Sequence, residues 1–451
     1  MSDWTQFYAG LIVAAGLVTF VAVARAVRVE LRLPLLVFNV FYLVTSLIGT
    51  SLLGFDLMRT VWALMQPTMD AKNVEPGQSL GYWAITWGPL TVTNLAAYLS
   101  RNLWRRPAIF VARELRMTID PVTCAIVGAA LTAYALANLY AHDALSLGFL
   151  QSGNTGDYTA NIIARTRLFA LLGDFHFAVL YMMLPAVAVA ALNTAAATRR
   201  ASAWLLFALL AVILVFLYLT TYTKSNLLIM SIGFVVAAWS NGLVRVRGIV
   251  LAALGGFAAL TLLEFLQAGD ASSVLVRSAF NLVFRMASGV PFYLAVFPDQ
   301  LPYPGVDLGL QTFGIGPTVP VNLLVADRMF PTDLIVQGAV PAPAHIAAYA
   351  LAGPWWSFAT MIFVGLFLSA VASIGRFRNN LLMQSAFVGG CVSSYYMTQV
   401  DFVGAFLAGY GLRWWLIGLG ALWLVQRLLE AAIPGADTTP AQRPLPASET
   451  R

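Results

Sequence analysis

The chain alternates between long apolar runs and short polar connections. About 20 mostly apolar residues suffice to carry a helix across a bilayer. Eleven such runs are legible, roughly at 8–26, 34–55, 80–100, 120–140, 169–193, 202–221, 225–240, 248–268, 354–375, 381–399 and 404–426. The connection at Thr223–Lys224 is short enough to make 202–240 a tight helical hairpin. Between residues 269 and 353 the pattern breaks, and no membrane-spanning run occurs. There the Pro and Gly pattern of 298–320, from Pro298 to Pro320, interrupts any long helix and predicts a structured loop or lid. The fold expected is therefore an all-α polytopic integral membrane protein of about eleven transmembrane helices. Helices 1–8 occupy residues 1–268, a large, partly helical loop 269–353, and helices 9–11 residues 354–428, followed by a tail at 429–451.

Composition agrees with that reading. The chain is 60% hydrophobic and 10% charged, with a mean hydropathy of +0.78, whereas soluble domains carry about 25% charged residues. The net charge of +6 follows from membrane topology and is no sign of nucleic-acid binding. The two cysteines, Cys124 and Cys391, lie in apolar runs and suggest neither a metal site nor a disulfide framework. The first apolar run lacks a basic leader and a small-residue cleavage site, so it reads as a span and not a signal peptide. The Pro-, Ala- and Thr-rich tail is expected to be disordered.

Orientation follows from Lys and Arg. One set of alternate loops, with the tail, holds seventeen of them, among them Arg101, Arg105, Arg106, Arg199, Arg200 and Arg376. The opposite face holds eight: Arg59, Lys72, Arg165, Arg167, Lys224, Arg277, Arg285 and Arg328. Cytoplasmic loops carry the excess of Lys and Arg. The N-terminus and the 269–353 loop are thus expected on the outer face, with the C-terminus inside. The cytoplasmic loops show no Walker or Rossmann glycine pattern, so the energy for any reaction is expected to arrive within the substrate.

Basic residues on the outer face run against the topological bias, which makes them informative. Arg165 and Arg167 close the loop that precedes the fifth span. Arg277 and Arg285, eight residues apart, would lie about 80° apart on a helix and border one groove. Arginine suits phosphate because its planar fork donates in pairs and stays charged. They can equally be interfacial anchors or partners of Asp270, Asp299, Asp307 and Asp327. His345, after Pro341-Ala342-Pro343, is a general base, a hydrogen-bonding anchor at the membrane mouth, or a helix-start residue without special role. Asp174 and His176 at the outer end of a span are functional or a structural pair. Asp401 can be a simple boundary residue, and Lys224 a snorkelling one. Tyr293, Phe297, Tyr303 and Phe313 suit sugar stacking and a membrane interface equally.

The many spans, the large late outer loop and the Pro-rich segment leading into His-Ile-Ala-Ala-Tyr-Ala-Leu-Ala-Gly-Pro-Trp-Trp resemble the bacterial Wzy polysaccharide repeat-unit polymerases. The related O-antigen ligases share a His, then an aromatic, then a Gly opening the next helix, here His345, Tyr349 and Gly353. Asn281-Leu282-Val283-Phe284-Arg285 resembles the Asn-x-x-x-Arg stretch at the start of the large loop, and Thr223-Lys224-Ser225-Asn226 stands where the family has a basic turn. The chain departs from the family in lacking a clean pair of Arg-x10-Gly repeats.

The resemblance implies a GT-C-like fold and a metal-independent glycosyltransferase of the bacterial inner membrane. It would polymerise undecaprenyl-diphosphate-linked oligosaccharide repeat units at the periplasmic face, with no cofactor. It assigns catalysis to His345, Arg285 and Arg277. Diphosphate and sugar binding fall to Arg165, Arg167, Lys224, Arg328, Tyr293, Tyr349 and Asp401. Implied partners are the lipid-linked oligosaccharide, membrane lipids, a chain-length regulator and a flippase, with no nucleic acid. The rival readings are an O-antigen ligase, a flippase or transporter of lipid-linked oligosaccharides, and a scaffold of an export complex. A transporter is expected to carry internal repeats and broken helices, and neither is clear in the sequence.

Overall fold

The computed structural model describes residues 3–27, 29–57, 74, 76–114, 119–145, 158–221, 224–245, 248, 255, 258, 261, 283–284, 287–305, 321–329, 340–377, 380–407 and 411–432. Among these the regular structure is helical throughout, with no strand. Helix α1 spans Asp3–Ala26. Helix α2 (Val29–Tyr42) runs through a π-helical turn, Leu43–Leu47, into α3 (Ile48–Gly54). Helices α4 (Leu80–Leu99), α5 (Arg105–Glu114) and α6 (Pro121–Ala141) follow. Helix α7 (Tyr158–Ala178) passes through a second π turn, Val179–Met183, into α8 (Leu184–Thr198). Then come α9 (Ala201–Thr220), α10 (Lys224–Ser240), α11 (Val290–Val296) and α12 (Val321–Met329). The last four are α13 (Ala344–Ile374), α14 (Leu381–Tyr396), α15 (Phe402–Leu407) and α16 (Leu412–Ala432).

Seven stretches among the described residues are long and apolar enough to cross a membrane: Trp4–Ala26, Leu33–Gly54, Pro121–Ala141, Ala170–Thr198, Ala201–Thr220, Ala344–Ile374 and Phe402–Ala432. The protein is thus a helical, polytopic membrane protein. Residues 80–100, 225–240 and 381–399, expected as spans, form α4, α10 and α14, outside these seven. The expected span 248–268 lies almost wholly outside the described residues. Other boundaries shift. Helix α13 starts at Ala344, ten residues before the expected Pro354, because Pro343 fixes its own backbone angle and α13 can start directly after it. Helix α7 begins at Tyr158, so it takes in much of the segment read as loop.

Two groups of helices pack side by side. One contains α1, α2, α4 and α13; the other contains α6, α8, α9, α10 and α16. Helix α14 touches members of both. Helix α8 is the hub of the second group. Its sequence Leu-Pro-Ala-Val-Ala-Val-Ala-Ala-Leu has small side chains all round, which lets neighbouring backbones approach closely, and its stretch is 94% buried. Small residues also set the α4–α13 contact. A Cβ at Gly365 would stand 2.6 Å from the Thr93 carbonyl oxygen.

Apolar burial provides little drive between helices in lipid, so polar contacts fix the register. Asn39 of α2 and Asn94 of α4 exchange amide hydrogen bonds of 2.8 and 3.1 Å. Each also donates to a carbonyl one turn back in its own helix, at 2.7 Å. Asn241 donates to Asn193 at 2.7 Å, Asn193 to Ser385 at 2.9 Å, and Gln384 to Asn241 at 3.1 Å, which joins α8, α14 and the end of α10.

Segments of the 269–353 region form a third element, a cap. Residues 287–297, α12 and the strap 340–343 share an apolar core with Leu53 at the end of α3 and with Ile346, Ala350 and Leu351 of α13. Of the segment 272–297 that would carry Arg277 and Arg285 as a helix, residues 283–284 and α11 are helical; residues 272–282 and 285–286 lie outside the described residues. Glycine makes the joint possible: a Cβ at Gly49 would stand 2.5 Å from both the Val283 carbonyl and Ala287.

Candidate functional site

The strap between cap and bundle positions His345. Pro341 and Pro343 offer no backbone N–H and resist helix, so the segment runs extended until α13 begins. It is pinned on three sides. Val340 donates its N–H to the Asn322 carbonyl at 3.2 Å, and the Tyr293 hydroxyl donates to the Val340 carbonyl at 2.7 Å. The Ala344 N–H donates to the Met397 carbonyl at 2.9 Å, just past the end of α14.

His345 is 3% exposed. Its Nε2 lies 3.2 Å from the Tyr42 hydroxyl, and the two rings meet edge to face at 5.3 Å. The Tyr42 hydroxyl donates to the Thr86 carbonyl, which uses its only proton. The Ile85 main-chain carbonyl also lies against the imidazole. That carbonyl is free because Pro89, four residues on, lacks the N–H that would engage it. The Tyr42 oxygen has no proton left to give, so the imidazole donates to it through Nε2. It ties the start of α13 to α2 and α4. The Tyr82 hydroxyl, donating to the Thr50 carbonyl at 2.7 Å, continues the buried polar cluster toward α3.

Above this cluster sits an aromatic group at a break in α13. The helix is interrupted at Ala352 and Gly353, where Gly353 has φ +82° and ψ −169°, a region open essentially to glycine alone. The freed Leu351 carbonyl accepts from the Gly305 N–H at 2.9 Å. The Tyr303 ring covers Gly353, with its nearest carbon 3.2 Å from where a Cβ would stand. Tyr303 stacks on Phe297 (6.4 Å, 14°) and meets Tyr349 edge to face (5.9 Å). Tyr349 donates to the Phe297 carbonyl at 3.0 Å. Below, burial and then the Asp401 carboxylate hold the Tyr293 phenol above its ordinary pKa, which keeps it a donor to the strap. Asp401 is half-buried, and its carboxylate accepts from the Gly404 N–H at 2.6 Å, at the start of α15.

A second polar locus lies at the same end of the bundle. Helix α7 departs from helical geometry at Gly173 (φ +76°, ψ 160°). Beyond it, Phe175 meets Trp414 of α16 edge to face at 5.6 Å. The buried His176 faces Asn138 through Nδ1 at 3.1 Å, and its Nε2 has no hydrogen-bond partner. Half-buried Arg413 lies with its guanidinium carbon 4.9 Å from the Trp414 ring centre, its Nε also without a hydrogen-bond partner. Asp174 is exposed beside the break.

The structure therefore brings together His345, Tyr293, Tyr349 and Asp401 of the residues singled out by sequence. Arg328 is exposed at the end of α12, within the cap, and Arg167 is exposed on α7, near the second locus. Arg277 and Arg285 lie outside the described residues, though the flanking Phe284 and Ala287 are buried in the cap joint. The side chains of Arg165 and Lys224 are likewise outside the described residues; their backbones lie in α7 and at the start of α10. Sequence reasoning missed Tyr42, Tyr82 and Arg413. The first two read as ordinary span aromatics. Arg413 carried a usable signal, a cation inside the apolar run 404–426. Among the described residues no cluster of three or more His, Cys, Asp or Glu is placed to hold a metal ion.

No family model, no curated protein and no solved structure matches this chain.

Proposed function

We propose that the protein is a membrane glycosyltransferase that lengthens a lipid-diphosphate-linked glycan, a polymerase of undecaprenyl-linked repeat units at the periplasmic face of the bacterial inner membrane. The observation that carries this reading is the cap. It sets an aromatic wall of Phe297, Tyr303 and Tyr349 beside a buried hydrogen-bonded His345, at the mouth of a helical bundle. Aromatic faces stack on sugar rings. The lipid part of the donor stays in the bilayer while its glycan meets the wall.

In this reading the diphosphate leaving group gathers negative charge as the glycosidic bond breaks. Preorganised cations stabilise that charge without a metal. Arg277 and Arg285 take this role, with Arg413 and Arg167 as the cations of the neighbouring locus. The acceptor sugar hydroxyl attacks the anomeric carbon as the bond from that carbon to the diphosphate oxygen breaks, and its proton passes to the departing diphosphate. His345 serves as the hydrogen-bonding anchor of the mouth, because its Nε2 is engaged with the Tyr42 oxygen.

Purified protein, given defined lipid-diphosphate-linked repeat units in detergent, tests the proposal. A ladder of products in whole repeat units is expected, together with release of the lipid diphosphate. An unchanged substrate would overturn it.

A second reading, a transporter of the same lipid-linked glycan, is favoured by the interruptions at Gly173 and Gly353. Broken helices mark transporter binding sites, and these two were not clear in the sequence. Movement of intact substrate between leaflets of protein-containing vesicles, without elongation, would select it.

A further inference from the structure

Helix α5 (Arg105–Glu114) lies outside the mouth and belongs to neither locus. Its ten residues rise only about 15 Å, half the hydrocarbon thickness, so it cannot cross the membrane. The chain enters it through a tight turn after α4. Ser100 ends α4 by bonding back to the Ala96 carbonyl and across to Ser369 of α13 at 2.8 Å. Leu103 then donates to the Ser100 carbonyl at 2.9 Å and Ala108 to the Trp104 carbonyl at 3.0 Å. Buried Ala108 (7% exposed) anchors the helix, which also contacts α13.

The outward side of this turn and helix combines charge with apolar bulk. Arg105 and Ile109 are four residues apart, as are Arg106 and Phe110, so each cation stands one turn from an apolar residue on the same face. All four side chains are exposed, Phe110 at 67% and Ile109 at 44%, and so are Leu99 (76%) and Leu103 (62%) in the approach to the helix. Two further arginines converge from the turn and from the far end of α13. Arg376 donates to the Arg101 carbonyl at 3.3 Å, and Arg101 lies over the Tyr98 ring at 3.9 Å. Among the described residues none of these four arginines forms an ion pair. The Trp104 indole N–H between them has no hydrogen-bond partner.

We propose that α5 and the 100–104 turn form a binding site for anionic phospholipid, with Arg101, Arg105, Arg106 and Arg376 engaging the headgroup phosphate and Leu103, Ile109 and Phe110 inserted among its acyl chains. The occupant is identified by this pairing. A free anion would use the guanidinium groups and leave the apolar residues in water. A neutral lipid would cover the apolar residues and leave the arginine cluster without a counter-charge. A helix of this kind lies in the plane of the interface, and each arginine near a negatively charged leaflet adds to its hold. The site needs no assumption about what the outer mouth does.

Full-length protein in nanodiscs tests this. Hydrogen exchange of peptides covering 99–114 is followed in phosphatidylcholine, in phosphatidylcholine with phosphatidylglycerol, and in phosphatidylcholine with inorganic phosphate in the buffer. Phosphatidylglycerol alone should slow exchange of these peptides, and high salt should reverse the effect. Native mass spectrometry should show retained phosphatidylglycerol. The Arg105→Gln/Arg106→Gln variant should bind it about thirtyfold more weakly, with exchange elsewhere unchanged. Equal protection in all three conditions, protection by inorganic phosphate alone, or undiminished retention by the double variant would overturn the proposal. Should the double variant fail to fold, Phe110→Ser supplies the second arm: it should lose the retained lipid while keeping all four arginines, and full retention would count equally against the site.

Discussion

Asn39 and Asn94 show how single side chains specify this bundle. Each amide is buried and fully engaged, in a medium where no water replaces a lost partner. Asn39→Leu should lower stability by about 1–3 kcal/mol, because it strands the Asn94 amide. The double variant Asn39→Leu/Asn94→Leu should recover most of that loss. Thermal unfolding of the three variants in detergent checks the cycle; strict additivity would show that the pair is not coupled. His345 obeys the same logic with a functional readout. His345→Ala removes the buried donor to the Tyr42 oxygen, so both unfolding midpoint and glycan extension should fall. His345→Gln keeps an N–H donor but no base, and should retain extension within about threefold, well inside the roughly 10²–10⁴ range of a lost general base. A stable but inactive Gln variant would restore the base role.

The residue scale is also where sequence reading ran shortest. His345 and Tyr349 stood out through a Pro-rich approach and helical spacing. Tyr303 stood out as a candidate stacking aromatic, but Tyr42 did not, since nothing local distinguishes a tyrosine that meets a histidine some 300 positions away. The link depends on Pro89 freeing a carbonyl on a third helix, a condition that only the assembled bundle reveals.

At the scale of elements, apolar runs predicted helices well and their ends poorly. Leu33–Gly54 and Ala201–Thr220 match the expected runs closely. Helix α13 extends past its apolar run because Ala344–Leu351 is helical but buried against the cap instead of lipid. Hydropathy cannot separate those two environments. The break within α13 was marked only by Gly353-Pro354, and its purpose lies in the Tyr303 ring above it. Gly353→Ala should cost about 1–3 kcal/mol from its backbone conformation alone, with the added Cβ pressing on Tyr303. A lower unfolding midpoint together with reduced extension is expected. Unchanged values for both would show that the break is incidental.

At the scale of the whole molecule, the helical membrane class was legible from composition, while the cap was legible as a loop or lid but not in its contacts. Its core joins Leu53 to residues beyond 284, and no periodic pattern predicts contacts between a loop and the end of a distant helix. The two ends of the bundle are chemically distinct, and their sidedness is measurable. Asp299→Cys, exposed in the cap, should react with a membrane-impermeant maleimide in intact spheroplasts, and Asn102→Cys only after permeabilisation. The native Cys124 and Cys391 are buried and give little background. The reverse pattern would invert the orientation and remove the periplasmic assignment.

The interruption at Gly353 divides α13 into two mechanical parts. Residues 344–351 are fastened to the cap through Leu351 and Tyr349, and the remainder is fastened to α4 at Gly365. A force that lifts the cap reaches residue 353 and is absorbed there as backbone rotation. In the proposed polymerase the mouth would then open to admit or release a long, stiff product without tilting any membrane-embedded helix. In that proposal each cycle would leave the surrounding lipid undisturbed, and the traffic of a growing polymer would not strain the bundle that anchors it.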